Sequence, residues 1–176
     1  ADYARKLGVD PEKLIISKEQ KAEKALDFAC QLVQEEAVKV IVFDSITSLV
    51  PIKIMETDLD DPQQMAAMAQ VMSRAMPKLI ALSKNNTLCI FINQLREKPG
   101  VTYGNPEYTP GGRALKYYAS LRVEVRKGEW IFDEDDKKKK IGQVVKFKVA
   151  KNKTAVPLLD GYFKFNYNTS QLDKVD

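Results

Sequence analysis

Two short apolar runs each end in a pair of polar side chains. Val-Ile-Val-Phe (40–43) runs into Asp44 and Ser45, and Leu-Cys-Ile-Phe-Ile (88–92) runs into Asn93 and Gln94. A carboxylate at the end of an apolar strand is the usual way a nucleotide hydrolase holds Mg2+, directly or through water, because a hard cation takes oxygen ligands and the acid offsets its charge. The same Asp44 also suits a cap on the turn that follows. Gln94 carries a neutral amide that both donates and accepts, so it can orient a water, sense a phosphate, or simply bond the loop it precedes. Beyond it, Arg96, Lys98 and Arg113 stand among Gly100, Gly104, Gly111 and Gly112, with Tyr103 and Tyr108 between them. Amides freed by Gly approach phosphates closely, Arg and Lys supply counter-charge, and Tyr rings stack on bases. That is the profile of a mobile loop for single-stranded nucleic acid. A plain surface loop is the alternative, but loops beyond about 12–15 residues are uncommon without a function.

Composition narrows the chemistry. The 176 residues contain no His and two Cys, and Cys30 and Cys89 lack the close pairing of a metal or redox motif. Zinc sites and His-based triads are therefore disfavoured, and buried free thiols in a reducing cytoplasm are expected. The net charge of +4 is compatible with an anionic partner without requiring one. No apolar run reaches membrane-spanning length. The proportions of 44% hydrophobic and 30% charged residues fit a packed domain, and the first strand signal arrives so late that the N-terminus reads as cut, part of a larger domain.

These residues need elements to position them. Ser17 and Gln20 resemble a capping box ahead of Ala22, Ala25, Ala29, Leu32 and Val33, which predicts a helix over 18–36. The run 38–43 has the β-branched, wholly apolar composition of a strand covered on both faces in a parallel sheet. Pro62 opens a second helix whose face is Met65, Met68, Met72, Met76, Leu79 and Leu82, with a kink or register break at Pro77. Their helical spacing marks Met65, Met68 and Met72 as core. Residues 88–92 form another buried strand. Helix, strand, helix, strand predicts right-handed crossovers, a mostly parallel sheet and helices on its faces, with Asp44, Ser45, Asn93 and Gln94 on one rim. After Ser120 the period changes to two: Leu121, Val123 and Val125, then Val145, Phe147 and Val149, then Phe163, Phe165 and Tyr167 alternate with polar residues as antiparallel strands do. The run Asp-Glu-Asp-Asp-Lys-Lys-Lys-Lys (133–140) between the first two reads as a solvated hairpin tip.

Six segments, in order and at matching spacing, resemble the bacterial RecA recombinase family over nearly the whole chain: Tyr-Ala-Arg-Lys-Leu-Gly-Val-Asp (3–10), Val-Ile-Val-Phe-Asp-Ser (40–45), Phe-Ile-Asn-Gln-Leu-Arg (91–96), Gly-Asn-Pro-Glu (104–107), Gly-Gly-Arg-Ala-Leu-Lys-Tyr-Tyr-Ala-Ser (111–120) and Val-Ala-Lys-Asn-Lys (149–153). The resemblance implies a RecA-like P-loop NTPase core of α/β class. It also implies an ATP- and Mg2+-dependent cytoplasmic filament that coats single-stranded DNA, searches double-stranded DNA for homology and exchanges strands in recombination and repair. It gives Tyr3 to the adenine, Asp44 to the magnesium with Ser45 beside it, and Gln94 to the γ-phosphate. Lys151 and Lys153 would reach the ATP of the adjacent subunit. Residues 55–64 would form a first DNA loop, with Gln64 and Met65 opening the helix beyond it. Residues 97–109 would form a second, carrying Lys98 and flanked by Arg96, Gly111, Gly112 and Arg113. Lys116 and Tyr117 would lie at the subunit interface, where the family usually has Phe at the second position.

The chain also departs from the family. The phosphate loop ending in Gly-Lys-Ser/Thr occurs nowhere in the 176 residues, and the catalytic glutamate would fall upstream of Ala1. Met76 and Pro77 stand where a basic DNA-contacting residue is expected. The polypeptide as given is thus expected not to turn over ATP alone. Three functions fit, in order: the core of a strand-exchange ATPase, a RecA-fold DNA-binding or interaction module without hydrolysis, and a RecA-fold helicase motor. The Gly-Gly-Arg-Ala-Leu-Lys segment favours the first over the last.

Overall fold

The structure is a computed structural model that describes residues 5, 7–56, 64–83, 87–97, 100, 103–104, 106–170 and 172–174, without the side chains of 64 and 65. It divides into two compact units, one of residues 17–118 and one of 1–16 with 119–176.

In the first unit the chain forms helix α1 (Ala22–Gln34), strand β1 (Val40–Phe43), the short helix α2 (Ile52–Met55), helix α3 (Gln64–Leu82) and strand β2 (Leu88–Phe91). Helix α1 starts later than the Ser17/Gln20 pattern suggests. Lys21 at its N-cap is extended, with φ −71° and ψ 115°, and carries no side-chain cap. Tertiary pairing holds it so: Lys21 bridges Val50 in parallel, the Val50 amide donates to the Gln20 carbonyl at 2.8 Å, and the Ala22 amide donates to the Val50 carbonyl at 2.9 Å. Two backbone bonds to a distant segment outweigh a local cap worth about 1 kcal/mol. Ser17 instead accepts from the Glu19 amide at 3.3 Å, and the Glu19 carboxylate accepts from the Lys21 amide at 2.9 Å.

Strands β1 and β2 pair in parallel from Val40↔Leu88 to Phe43↔Phe91, as the helix–strand order predicts. Leu26, Cys30 and Val33 of α1 and Met72, Met76 and Leu79 of α3 form one buried cluster, against which Ile41, Phe43, Cys89 and Phe91 pack. Met72 and Met76 are core and Met68 packs against them, as their spacing suggests, while the side chain of Met65 lies outside the described residues; α3 continues through Pro77. The expected opening at Pro62 lies outside the described residues. Two expectations are met only in part among the described residues. Both helices lie on the same face of β1 and β2, so Val40 and Val42 are each 52% exposed and Leu88 is 59% exposed on the other face. An unbroken apolar run signals a strand without saying what covers each side of it. The parallel sheet among the described residues accordingly has two strands, and the larger sheet is antiparallel.

That larger sheet is the second unit. Strands β5 (Leu121–Phe132), β6 (Lys140–Asn152), β7 (Asp160–Asn166) and β8 (Leu172–Lys174) lie in chain order, all antiparallel, while the short β3 (Arg96–Glu97) and β4 (Glu107–Tyr108) belong to the first unit. Alternation sorts the side chains as the sequence predicts: Val123 faces Val149 and Val125 faces Phe147, while Arg122 faces Lys151, Glu124 faces Lys148 and Arg126 faces Lys146. The acidic–basic run makes the β5–β6 turn, with the Asp133 carboxylate accepting the Asp135 amide at 3.1 Å and paired with Lys139 at 3.4 Å. Gln143 is buried within the sheet, its amide donating to the Gly128 carbonyl and accepting from the Tyr167 hydroxyl, each at 3.2 Å.

Candidate nucleotide rim and nucleic-acid loop

The parallel register sets the rim. Because Phe43 pairs with Phe91, their rings stacked 4.8 Å apart, the residues that follow leave the sheet at one edge. Asp44 is exposed there and Ser45 half-buried, joined by a cis peptide. The chain then turns tightly. The Ser48 hydroxyl donates to the Ser45 carbonyl at 2.7 Å, the Ser45 and Thr47 hydroxyls share a hydrogen bond of 2.7 Å, and the Ile46 amide donates to the Ile92 carbonyl at 3.0 Å. The turn is thus capped by Ser45 and Ser48, which leaves the Asp44 carboxylate outside that network.

The residues after β2 divide their work. Gln94 is exposed at the rim. Asn93 turns aside: its side-chain amide donates to the Pro110 carbonyl at 2.9 Å and its side-chain oxygen accepts from the Gln94 amide at 2.9 Å. Sequence reasoning placed Asn93 on the rim without its role; the bond reaches across 17 residues, and no local pattern signals it.

The loop is more ordered at its base than its Gly and Pro content suggests. Strand β3 (Arg96–Glu97) pairs antiparallel with β4 (Glu107–Tyr108), Arg96 facing Tyr108 and Glu97 facing Glu107. Arg96 and Arg113 are exposed, and Tyr103 is 96% exposed beyond the ladder. Lys98 lies outside the described residues, as do Tyr3 and 57–63 of the proposed first loop. Gly111 ends the loop with φ +88°, and a Cβ there would lie 3.3 Å from Ile46 Cγ2. A side chain would press on the turn beside Asp44 and would strain the backbone as well. Helix α4 (Ala114–Tyr118) follows, with Ala114 buried and Tyr117 69% exposed.

In the second unit, Lys151 pairs with Arg122 across β5–β6, and the Lys153 amide donates to the Ser120 carbonyl at 2.9 Å. Loss of hydration, then the charges of Lys153 and Arg122, hold the Lys151 ammonium below its usual pKa. Asn152 between the lysines shapes their turn, its side-chain oxygen accepting from the Thr154 amide and hydroxyl, each at 3.0 Å, and from the Ala155 amide at 3.2 Å. The sequence does carry a signal, since Asn favours an Asx-turn, in which its side chain accepts from the backbone amide two residues on. Arg122, by contrast, is brought in only by strand register.

The donor set limits what can bind. Among the described residues no cluster of three His, Cys, Asp or Glu side chains exists, so no protein cage for a metal is formed. A single exposed Asp44 suits Mg2+ held mostly by phosphate oxygens and water. Cys30 and Cys89 are free, and burial pushes both thiols above their ordinary pKa, which disfavours their thiolate forms. A groove of about 850 Å³ runs between α1 and α3 past Glu23, Asp27, Lys53, Arg74 and Lys78, but neither Asp44 nor Gln94 lines it. Among the described residues no helix is long and apolar enough to cross a membrane.

Residues 1–171 match the family described as RecA N-terminal domain. The chain is 47% identical over 156 residues to Protein RecA of Mesomycoplasma hyopneumoniae (strain 7448), covering 88% of this chain and 45% of that protein. Against Protein RecA of Bacillus subtilis (strain 168) it is 47% identical over 156 residues, covering 88% of this chain and 44% of that protein. Against Protein RecA of Mycoplasma mycoides subsp. mycoides SC it is 42% identical over 174 residues, covering 98% and 49%. The chain spans about half the length of these curated relatives.

Proposed function

Since the chain belongs to the RecA family, we propose that it is the part of an ATP-dependent recombinase core that carries the magnesium-side acid, the phosphate-sensing amide and a loop for single-stranded DNA. The observation that carries this reading is the seat of the loop. Gly111 at its far end lies where a Cβ would stand 3.3 Å from Ile46, two residues from Asp44, while Asn93 at its near end holds Pro110. A strand of DNA pulling on Arg96 or Arg113 therefore loads the turn beside the nucleotide edge.

Each residue has its own task in this reading. Asp44 attracts the metal of Mg-ATP through water, and the ion supplies charge neutralisation of the phosphates when bound. Gln94 exchanges one hydrogen-bond partner for another according to whether a γ-phosphate is present. Arg96 and Arg113 hold DNA phosphates, and Tyr103 offers a stacking face. Lys151 and Lys153 supply positive charge to the triphosphate of an adjacent copy in a helical filament, with Lys116 and Tyr117 in the contact between copies. Tyr3 and Lys98 keep the roles the family gives them, at the adenine and the DNA. The RecA-like P-loop core, a cytoplasmic setting and pairing with double-stranded DNA belong to the same proposal.

The test is binding of a fluorescent oligothymidylate to the chain. Affinity that falls with salt and with Arg96→Ala or Arg113→Ala supports the recombinase reading, and affinity indifferent to all three contradicts it. The Gly-Gly-Arg-Ala-Leu-Lys run at 111–116 favours this over a motor that unwinds duplex.

A further inference from the structure

Gly112 meets α3 more closely than any side chain permits. A Cβ built on it would lie 2.6 Å from Ala69 Cβ and 3.1 Å from Ala69 Cα, and its φ of +77° already demands glycine. Gly111 before it lies against the next turn of the same helix: a Cβ there would stand 3.8 Å from Met72 Cγ and 3.3 Å from Ile46 Cγ2. Ala69 and Met72 are three residues apart and share one face of α3. Met72 is fully buried and Ile46 is 1% exposed. The glycine pair thus lies closely between α3 and the rim turn, and the very next residue is the exposed Arg113.

We propose that Ala69 is a positioning residue for DNA binding: by admitting Gly112 to the surface of α3, it sets the direction in which Arg113 is presented to a DNA phosphate. The inference rests on the DNA-binding reading above and adds a residue that contacts no DNA itself. Its chemistry is steric. With no atoms to spare between Ala69 and Gly112, any larger group at 69 pushes the glycine pair outward and swings Arg113 with it. Arg96 stands on the other side of the loop, in the β3–β4 ladder, outside the contact between Gly112 and Ala69.

A double-mutant cycle with fluorescent oligothymidylate separates this role from simple packing. Ala69→Val is expected to lower affinity about fivefold and to reduce the salt slope by about one, as loss of a single phosphate contact does. In an Arg113→Ala background it should cost nothing further, whereas with Arg96→Ala the two losses should multiply. Ala69→Gly keeps the gap open and should retain affinity, and Ala66→Val, the same change at an exposed position of α3, should too. Should Ala69→Val fail to fold, Ala69→Ser adds one oxygen at the same contact and is read in the same cycle. Full affinity in the folded Ala69 variant, or losses that multiply with Arg113→Ala, overturns the positioning role alone. Arg113→Ala with unchanged affinity overturns the DNA-binding reading and this inference with it.

Discussion

The side-chain amide of Asn93 donates to the carbonyl of Pro110 at 2.9 Å, closing the two ends of the long loop onto the end of β2. Without this bond the Pro110 carbonyl turns to water and the loop base is held by the two-residue ladder of Arg96 and Glu97 with Glu107 and Tyr108. Asn93→Ala should therefore weaken oligonucleotide binding about fivefold, the effect of one hydrogen bond of ~1 kcal/mol. Asn93→Asp should do the same, because a carboxylate cannot donate. Fluorescence anisotropy reads both, and unchanged affinity in either variant shows that the bond does not shape the loop.

Arg96 and Arg113 flank the loop and are both exposed. Each replacement by Ala should reduce the slope of log affinity against log salt by about one, and the double replacement by about two. Titrations at several salt concentrations check this. A slope that stays constant while affinity falls would point to a lost structural contact instead of a lost phosphate.

The Lys151 ammonium sits below its usual pKa because it has lost hydration and lies near Lys153 and Arg122. In the pH window between its folded value and the unfolded lysine value, the unfolded chain binds more protons, so this group's contribution to stability rises with pH. Inorganic triphosphate placed among the three cations should raise the Lys151 pKa, and Arg122→Ala should raise it without any anion. NMR titration of the lysine εCH2 signals follows both. A Lys151 pKa indifferent to triphosphate would remove the anion-binding role.

Met72 is 0% exposed at the centre of the cluster joining α1, α3 and the parallel strands. Met72→Ala should cost about 2–5 kcal/mol in urea unfolding, from lost burial and a cavity among residues that cannot close it. A loss under ~1 kcal/mol would mean the helix face repacks freely, contrary to its position.

The purified 176-residue chain should show no ATP turnover stimulated by single-stranded DNA, since phosphate positioning supplies much of the catalysis in phosphoryl transfer and the Gly-Lys-Ser/Thr loop is not in this sequence. Release of inorganic phosphate measures it. DNA-stimulated release above background would show that phosphates are held by residues other than that loop.

Much of this arrangement is legible in the sequence where side-chain periodicity alone decides it. The methionine spacing marks the buried face of α3, the runs at 40–43 and 88–91 give β1 and β2 and hence the rim, and the alternation after Ser120 gives the antiparallel strands. What distant contacts decide is not legible. The start of α1 is set by Lys21 pairing with Val50, Asn93 is drawn from the rim by Pro110, and Arg122 reaches Lys151 only through strand register. The bare side of β1 and β2 is a third kind of case, since Val40 and Val42 have the composition of covered residues whether or not an element covers them.

Coupling between the 94–113 loop and the rim, on the proposed reading, is most directly read at the amide of Ile46, which stands two residues after Asp44, donates to the Ile92 carbonyl, and carries the side chain that a Cβ on Gly111 would meet at 3.3 Å. Hydrogen exchange of that amide, followed by NMR with and without saturating oligothymidylate, should slow several-fold on binding in the unaltered chain and remain unchanged in Asn93→Ala at equal saturation. Oligonucleotide that binds tightly and slows exchange only within 94–113, leaving Ile46 as it was, would contradict a loop that loads the rim.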